Sequence, residues 1–113
     1  MTYIDGYVAS ARDRDAYLAF AHAAAPVLRR HGALRVVEGW GVDVAHGTRT
    51  DLYRAVAAEE GETIVFSWIE WPDRATRDAA WDAIMADDAM PQGDPPFDMK
   101  RMIFGGFDAI VDA

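Results

Sequence analysis

The sequence predicts an α+β sandwich in which one antiparallel sheet carries two helices on the same face. Three observations support this prediction. First, the predicted elements follow the order strand, helix, two strands, helix, strand. Second, residues 63–71 form a strand that is apolar on both sides. Third, Ile4-Asp-Gly-Tyr-Val near the start is similar to Phe104-Gly-Gly-Phe-Asp near the end. A repeated βαβ unit of this kind is typical of a ferredoxin-like fold. No linker or low-complexity tract divides the 113 residues, so residues 1–113 are predicted to form one domain.

The central strand is predicted from Thr63 to Trp71 because this stretch is rich in β-branched and aromatic residues. Alternation places Ile64, Phe66 and Trp68 on one face, and Val65, Ile69 and Trp71 on the other. Both faces of such a strand must be covered. Two helices cover only one of them, so we expect a second copy of the chain to cover the other, giving a homodimer.

The first half of the chain supplies a strand, a helix and a second strand. The predicted ranges are Tyr3–Ala9, Arg14–His31 and Leu34–Asp43. An apolar stripe at helical spacing supports the helix, and Gly32 is a natural stop. Pro26 removes a backbone donor inside this helix, so we expect a kink or a break near residues 22–26.

The second half begins with Leu52–Ala57, which we interpret as a short strand that turns back into the central strand as a hairpin. The second helix is predicted to begin after the N-cap Asp73 and to end near residues 87–88. A loop rich in proline follows at Pro91–Asp98 and leads into a last strand at Arg101–Val111.

The composition excludes several functional classes. The net charge is −8, with 11 basic against 19 acidic residues, so neither nucleic acid nor an anionic membrane surface is an expected partner. The absence of cysteine excludes disulfides, thiolate nucleophiles and zinc bound by cysteine. No apolar run approaches the length of a membrane span, and the first residues do not resemble a signal peptide, so a cytoplasmic location is expected.

Glu38 and Glu70 are the most distinctive polar residues, because each falls in line with apolar residues on a predicted strand. A carboxylate in such a place needs a partner or acquires a raised pKa, which makes it a candidate general base. The ordinary alternative is an edge charge or a salt bridge to Arg35, Arg54 or Arg101. We take Glu38 as the candidate catalytic residue.

The candidate ligand-binding residues are Tyr7, Trp40, Trp68, Lys100 and Arg101. The aromatic side chains could wall a pocket, although packing in a core or interface is their commoner role. The two cations follow the proline-rich loop and could hold a substrate carboxylate, or else tie the loop down. The three histidines are too dispersed to form a local metal motif, so no metal and no cofactor is predicted.

The chain also resembles a known family. The segments that carry the resemblance are Tyr3-Ile-Asp-Gly-Tyr-Val, His31-Gly-Ala, Phe66-Ser-Trp-Ile-Glu-Trp-Pro, Met85-Ala-Asp-Asp and Pro96-Phe-Asp-Met-Lys-Arg-Met-Ile-Phe-Gly-Gly-Phe. They are similar to the YbaA-like bacterial family of unknown function. The resemblance implies a dimeric α/β-barrel fold, and it brings no established reaction with it.

Two functions from different classes remain open at this point. The first is a protein that binds or transforms a small apolar or aromatic molecule in a pocket between sheet and helices. The second is a dimeric structural or stress-related module that is not an enzyme and has no ligand. The sequence leaves open whether the chain is an enzyme.

Overall fold

The computed structural model describes residues 2–113, which form one four-stranded sheet and three helices. In chain order the elements are β1 (Tyr3–Ala11), α1 (Arg14–Arg30), β2 (Arg35–Trp40), α2 (Leu52–Ala55), β3 (Thr63–Trp71), α3 (Arg74–Met85) and β4 (Ile103–Asp108). The strand order is β2-β3-β1-β4, and every neighbouring pair is antiparallel. This confirms the predicted α+β class, and the strand order is compatible with a ferredoxin-like fold. None of the helices in residues 2–113 is long and apolar enough to cross a membrane.

Helix α1 begins where the sequence predicts and runs through Pro26 without a break. Its N-cap is Asp13, whose side chain accepts a hydrogen bond from the Ala16 N–H at 3.1 Å. Pro26 lies on the exposed side of the helix, whereas Val27 and Leu28 beside it are buried. Packing of the buried side therefore holds the helix together across the missing donor, so the predicted break is wrong and the predicted kink stays a prediction.

The predicted strand Leu52–Ala57 is also wrong, because this segment contains the one-turn helix α2. Asp51 caps that helix by accepting the Arg54 N–H at 2.8 Å. Leu52 and Val56, four residues apart, pack together against Ile64, as successive turns of a helix allow. The predicted hairpin is lost with the strand, since β3 pairs directly with β2 instead.

Helix α3 follows the N-cap Asp73, which accepts the Thr76 N–H at 2.7 Å. Its buried residues, Ala80 and Ile84, pack with Tyr3 and Trp71 from the sheet. α1 contributes to the same core through Leu28. Both long helices therefore lie on one face of the sheet, as predicted, and we refer to it as the helix-covered face.

The opposite face of the sheet, here called the open face, is only partly covered. At one end the segment 41–58 packs on it, so Val8 and Ile64 are buried. Elsewhere Phe66, Ile103 and Phe107 remain 49%, 43% and 59% exposed. The pairing register places these three side chains on the same face of β3 and β4, the two strands that flank β1. The open face therefore carries a contiguous apolar surface.

Candidate functional site

A cavity of about 170 Å³ lies between the helix-covered face, α1, α3 and the segment 86–102 that joins α3 to β4. The residues that line it are Tyr7, Ala9, Tyr17, Phe20, Ala24, Leu28, Glu38, Val65, Ser67, Ile69, Trp81, Met90, Phe97, Met99 and Met102. Two of them, Glu38 and Met99, are also exposed, so the cavity opens to solvent. A dry cavity of roughly 150 Å³ can hold benzene, so the space suits a molecule with one ring.

Glu38 and Tyr17 form the polar end of this cavity. The Tyr17 hydroxyl donates a hydrogen bond to Glu38 Oε2 at 2.6 Å. Ser67 lies directly opposite Glu38 in the β2–β3 ladder, so its side chain shares the helix-covered face. α1 supplies the tyrosine and two adjacent strands supply the other groups. Three elements thus bring one carboxylate and two hydroxyls together in an otherwise apolar space.

The apolar surroundings shift the protonation of these groups. Desolvation raises the pKa of Glu38, and the hydrogen bonds from Tyr17 and Ser67 oppose that rise. Burial likewise raises the pKa of Tyr17, and the nearby Glu38 carboxylate adds to this effect. Burial is also the main cause of the raised pKa of Tyr7, followed by the negative charge of Asp5. At neutral pH both phenols are therefore protonated, and the Tyr17 hydroxyl donates to Glu38.

Aromatic rings form the wall beside the polar end. The Tyr17 ring lies 5.9 Å from the rings of both Trp40 and Phe97, measured between centroids. Phe20 meets Phe97 edge to face at 5.5 Å. Such tilted and edge-to-face contacts are favourable arrangements for aromatic pairs. Phe97 thereby closes the side of the cavity that the helices leave uncovered.

Arg101 anchors the segment that carries Phe97. Its Nη1 and Nη2 atoms donate to the two carboxylate oxygens of Glu62 at 2.8 Å each, and its Nε donates to Asp98 at 2.8 Å. The same guanidinium also donates to the Ala57 carbonyl at 2.9 Å. Hydrogen bonds from Arg101 are the main reason that the pKa of Glu62 falls to about 2. This cluster fixes the segment over the cavity from outside.

Of the residues that the sequence singled out, Tyr7 and Glu38 line the cavity. Trp40 stands behind Tyr17 and packs on its ring. Trp68 lies on the open face, where its indole N–H donates to Glu70 at 2.9 Å, so the sheet separates it from the cavity. The structure therefore brings together two of these residues in the cavity and a third beside it.

The other residues that the sequence singled out do not line the cavity. Lys100 is exposed, and its backbone N–H donates to Asp98. Arg101 belongs to the anchoring cluster and not to the cavity lining. Glu70 accepts the Trp68 N–H and lies 3.6 Å from Nη1 of Arg35, one of the arginines that the sequence offered as its partner.

Three residues of the site escaped the sequence prediction: Tyr17, Ser67 and Phe97. Tyr17 belongs to the apolar stripe of α1, which predicts burial and gives no sign of a role in a site. The signal for Ser67 was available, because it is the one polar residue between Val65 and Ile69 on its face of β3. Phe97 comes from a loop, where no periodicity indicates the direction of a side chain.

A second polar cluster lies at the edge of the cavity, around Asp5. This carboxylate is 6% exposed and accepts the indole N–H groups of Trp71 at 2.9 Å and of Trp81 at 3.4 Å. Arg77 Nε lies 3.4 Å from its other oxygen, and the guanidinium also contacts the Tyr3 hydroxyl. Since Trp81 lines the cavity, Asp5 helps to orient part of the wall. Asp5 alternates with Tyr3 and Tyr7, the same signal that pointed to Glu38.

The histidines lie away from the cavity. His31 Nε2 is 2.8 Å from Asp87 Oδ2, His46 stacks on Tyr53, and His22 is exposed on α1. Within residues 2–113, no cluster of three or more histidine or acidic side chains is arranged to hold a metal ion.

Comparison with known proteins places this chain among relatives without an assigned function. A family described as "Protein of unknown function (DUF1428)" matches residues 2–99. The "Uncharacterized protein YbaA" of Escherichia coli strain K12 is 50% identical over an alignment of 116 positions, which covers 99% of each chain. The protein of the same name from Shigella flexneri shows the same identity and coverage. These matches confirm the resemblance to YbaA-like proteins.

Proposed function

We propose the following function for this chain, which belongs to the DUF1428 family of proteins of unknown function: it binds a small apolar or aromatic molecule in the cavity between the sheet and the helices. The observation that carries the proposal is the hydrogen-bonded pair of Glu38 and Tyr17 at one end of an otherwise apolar cavity. A few convergent polar groups in an apolar recess are the usual features of a small-molecule site.

In the reactive form of this proposal, Glu38 accepts a proton from the bound molecule. Its raised pKa brings it closer to neutral pH, which favours general base catalysis. Because the Tyr17 hydroxyl is already donated to Glu38, the Tyr7 hydroxyl would donate a hydrogen bond to the negative charge that develops on the ligand. Replacement of Glu38 by Gln should then abolish turnover and leave the binding of neutral molecules in place. Unchanged turnover in this variant would remove Glu38 from any reaction.

Binding itself is tested by filling the cavity. Ala24 lines the cavity, whereas Ala23 beside it on α1 is exposed. A thermal-shift screen of molecules with one ring should give hits with the wild-type protein, because a ligand of the native state raises the melting temperature. These hits should disappear in Ala24→Leu and persist in Ala23→Leu. Hits that survive Ala24→Leu would locate binding elsewhere and refute the proposed site.

The alternative is a dimeric module without a ligand. The observation that favours it is the size of the cavity, since about 170 Å³ is less than the ~300 Å³ at which ligand pockets usually begin. A screen without any hit at millimolar concentration would decide for this alternative. If the protein has no ligand, the hydrogen bond between Tyr17 and Glu38 only satisfies two polar groups beside the core.

We also propose that the protein is a homodimer that associates through the open face and works in the cytoplasm. Exposed Phe66, Ile103 and Phe107 support this interface, because soluble monomers rarely leave such a patch uncovered. A standard interface covers about 800 Å² per partner, which is roughly a tenth of the 7441 Å² surface of this chain. A second copy offers a patch of matching character about a two-fold axis.

Sedimentation equilibrium tests the dimer. The wild-type protein should sediment at twice 12.5 kDa at micromolar concentration. Phe66→Asp places a charge in the proposed interface and should give the monomer. Leu18→Asp is the matched control, because Leu18 is 49% exposed like Phe66 but lies on α1. A folded wild-type monomer, or equal effects of the two variants, would refute the interface.

A further inference from the structure

We infer that the molecule bound in the cavity is a small aromatic amine in its cationic form, with its ammonium group at Glu38 and its ring among the aromatic and methionine side chains. This inference rests on the function proposed above and specifies the ligand class. The charge, the aromatic content and the size of the cavity support it.

The charge of the lining favours a cation. Among the residues that the structure describes, Glu38 is the one acidic residue of the lining, and no lysine, arginine or histidine belongs to it. The nearby cations are committed elsewhere, since Arg101 pairs with Glu62 and Asp98, and Arg77 lies against Asp5. A ligand carboxylate would therefore face the Glu38 carboxylate without a compensating positive charge. An ammonium group would find in the same place a partner of opposite sign.

The aromatic rings beside Glu38 suit a cation as well. Tyr17 holds the carboxylate through its hydroxyl, and the ring of Phe97 stands 5.9 Å from the Tyr17 ring. The faces of such rings attract positive charge when the cation comes within about 6 Å. Because Glu38 is exposed on one side, an ammonium group there keeps part of its hydration. The desolvation that makes burial of an isolated charge costly is thereby reduced.

The net charge of −8 adds to this preference, because a negative protein attracts cationic ligands and repels anionic ones. The cavity volume of about 170 Å³ limits the ring system to one benzene-sized ring with one or two further heavy atoms. Benzylamine satisfies both conditions and is the probe we choose.

The experiment compares benzylamine with benzyl alcohol and benzoate at pH 7 by isothermal titration calorimetry. The three probes share one ring and are cationic, neutral and anionic. Benzoate has one heavy atom more than the other two, so the decisive comparison is between benzylamine and benzyl alcohol, which have the same number of heavy atoms. With the wild-type protein we expect benzylamine to bind at least tenfold more tightly than benzyl alcohol, and benzoate at least tenfold more weakly. In Glu38→Gln, the affinity of benzylamine should fall to within about threefold of the affinity of benzyl alcohol for the same variant.

Glu60→Gln is the matched control, because it removes one negative charge from an exposed surface residue and should leave all three affinities within twofold. If Glu38→Gln does not fold, the order of the three probes on the wild-type protein decides alone. Equal binding of all three, or tighter binding of benzyl alcohol or benzoate, would overturn the cationic ligand and leave the proposed cavity site intact. Failure of all three to bind at millimolar concentration would count against the proposed function itself.

Discussion

Replacement of Asp5 by Asn tests whether the buried Asp5–Arg77 pair stabilises the fold. Asp5 is 6% exposed, and its carboxylate lies 3.4 Å from Arg77 Nε. The substitution keeps the size of the side chain and an oxygen that can still accept from Trp71. The main loss is therefore the negative charge that compensates Arg77.

The expected loss of stability depends on how deeply Arg77, the cation that remains, is buried. Removal of one partner of a buried ion pair costs about 3–5 kcal/mol. The Arg77 side chain is 21% exposed and retains Asp78 at 3.1 Å. We therefore expect a loss of about 2–3 kcal/mol, below the range for a fully buried pair. At roughly 4–8 °C per kcal/mol for a domain of similar size, the melting temperature should fall by about 10–20 °C.

Urea denaturation followed by tryptophan fluorescence measures this loss, with Asp78→Asn as the control. The Asp78 side chain is 50% exposed, so its pair with Arg77 should contribute less than about 1 kcal/mol. Addition of Arg77→Met to Asp5→Asn should restore part of the stability, because the uncompensated cation is then removed as well. A loss below about 1 kcal/mol for Asp5→Asn would refute the reasoning.

Two further predictions concern the anchoring cluster and the last strand. Arg101→Met should lower the midpoint of urea denaturation at pH 6, because hydrogen bonds to charged groups are lost, and lower it much less at pH 3. The reason is that the folded-state pKa of Glu62 is lowered to about 2. The stability that Glu62 contributes is therefore complete above its ordinary pKa and is lost as the pH falls towards 2. Urea denaturation at both pH values measures this difference. Gly106→Ala should cost about 1–3 kcal/mol, because an added Cβ would overlap the Tyr3 hydroxyl. Gly105→Ala is its control, since the Cβ there would stand 3.4 Å from a Phe107 side chain that can move. Equal melting temperatures for the two glycine variants would contradict the packing.

The sequence predicted those parts of the fold that depend on local patterns. Alternation and β-branched residues gave the bounds of β3, and Asp73 marked the start of α3. α2 could not be distinguished in the same way, because Leu52 and Val56 fit a strand face with period two as well as a helix face with spacing four. Over four residues neither pattern is long enough to decide, and the cap at Asp51 settles the local structure. The sequence could not exclude a break at Pro26, because the packing that holds α1 together comes from the sheet.

The candidate site was predicted only where one strand decides the direction of a side chain. Alternation placed Glu38 in line with apolar residues, and the structure puts it in the cavity lining. Alternation does not show which face of β3 the helices cover. For this reason the sequence does not distinguish Trp68 from Tyr7 as a ligand-binding residue. Tyr17 and Phe97 reach the site from a helix and a loop far apart in the chain. Their meeting is a tertiary contact, which no local pattern encodes.

The two proposals depend on opposite faces of one sheet, and this separates them physically. Phe66 and Ser67 are neighbours on β3, yet Phe66 faces outward on the open face and Ser67 faces the cavity. A charge at Phe66 therefore disturbs association without adding an atom to the cavity, and a monomeric Phe66→Asp protein should bind benzylamine as the wild type does. The connection between the faces runs through the strand backbone, which is fixed by pairing to β1 and β2 on both sides. If the Phe66→Asp monomer does not bind benzylamine, the partner copy contributes to the cavity. The alternative, a closure of the cavity through β3, is excluded because a rigid central strand transmits too little movement.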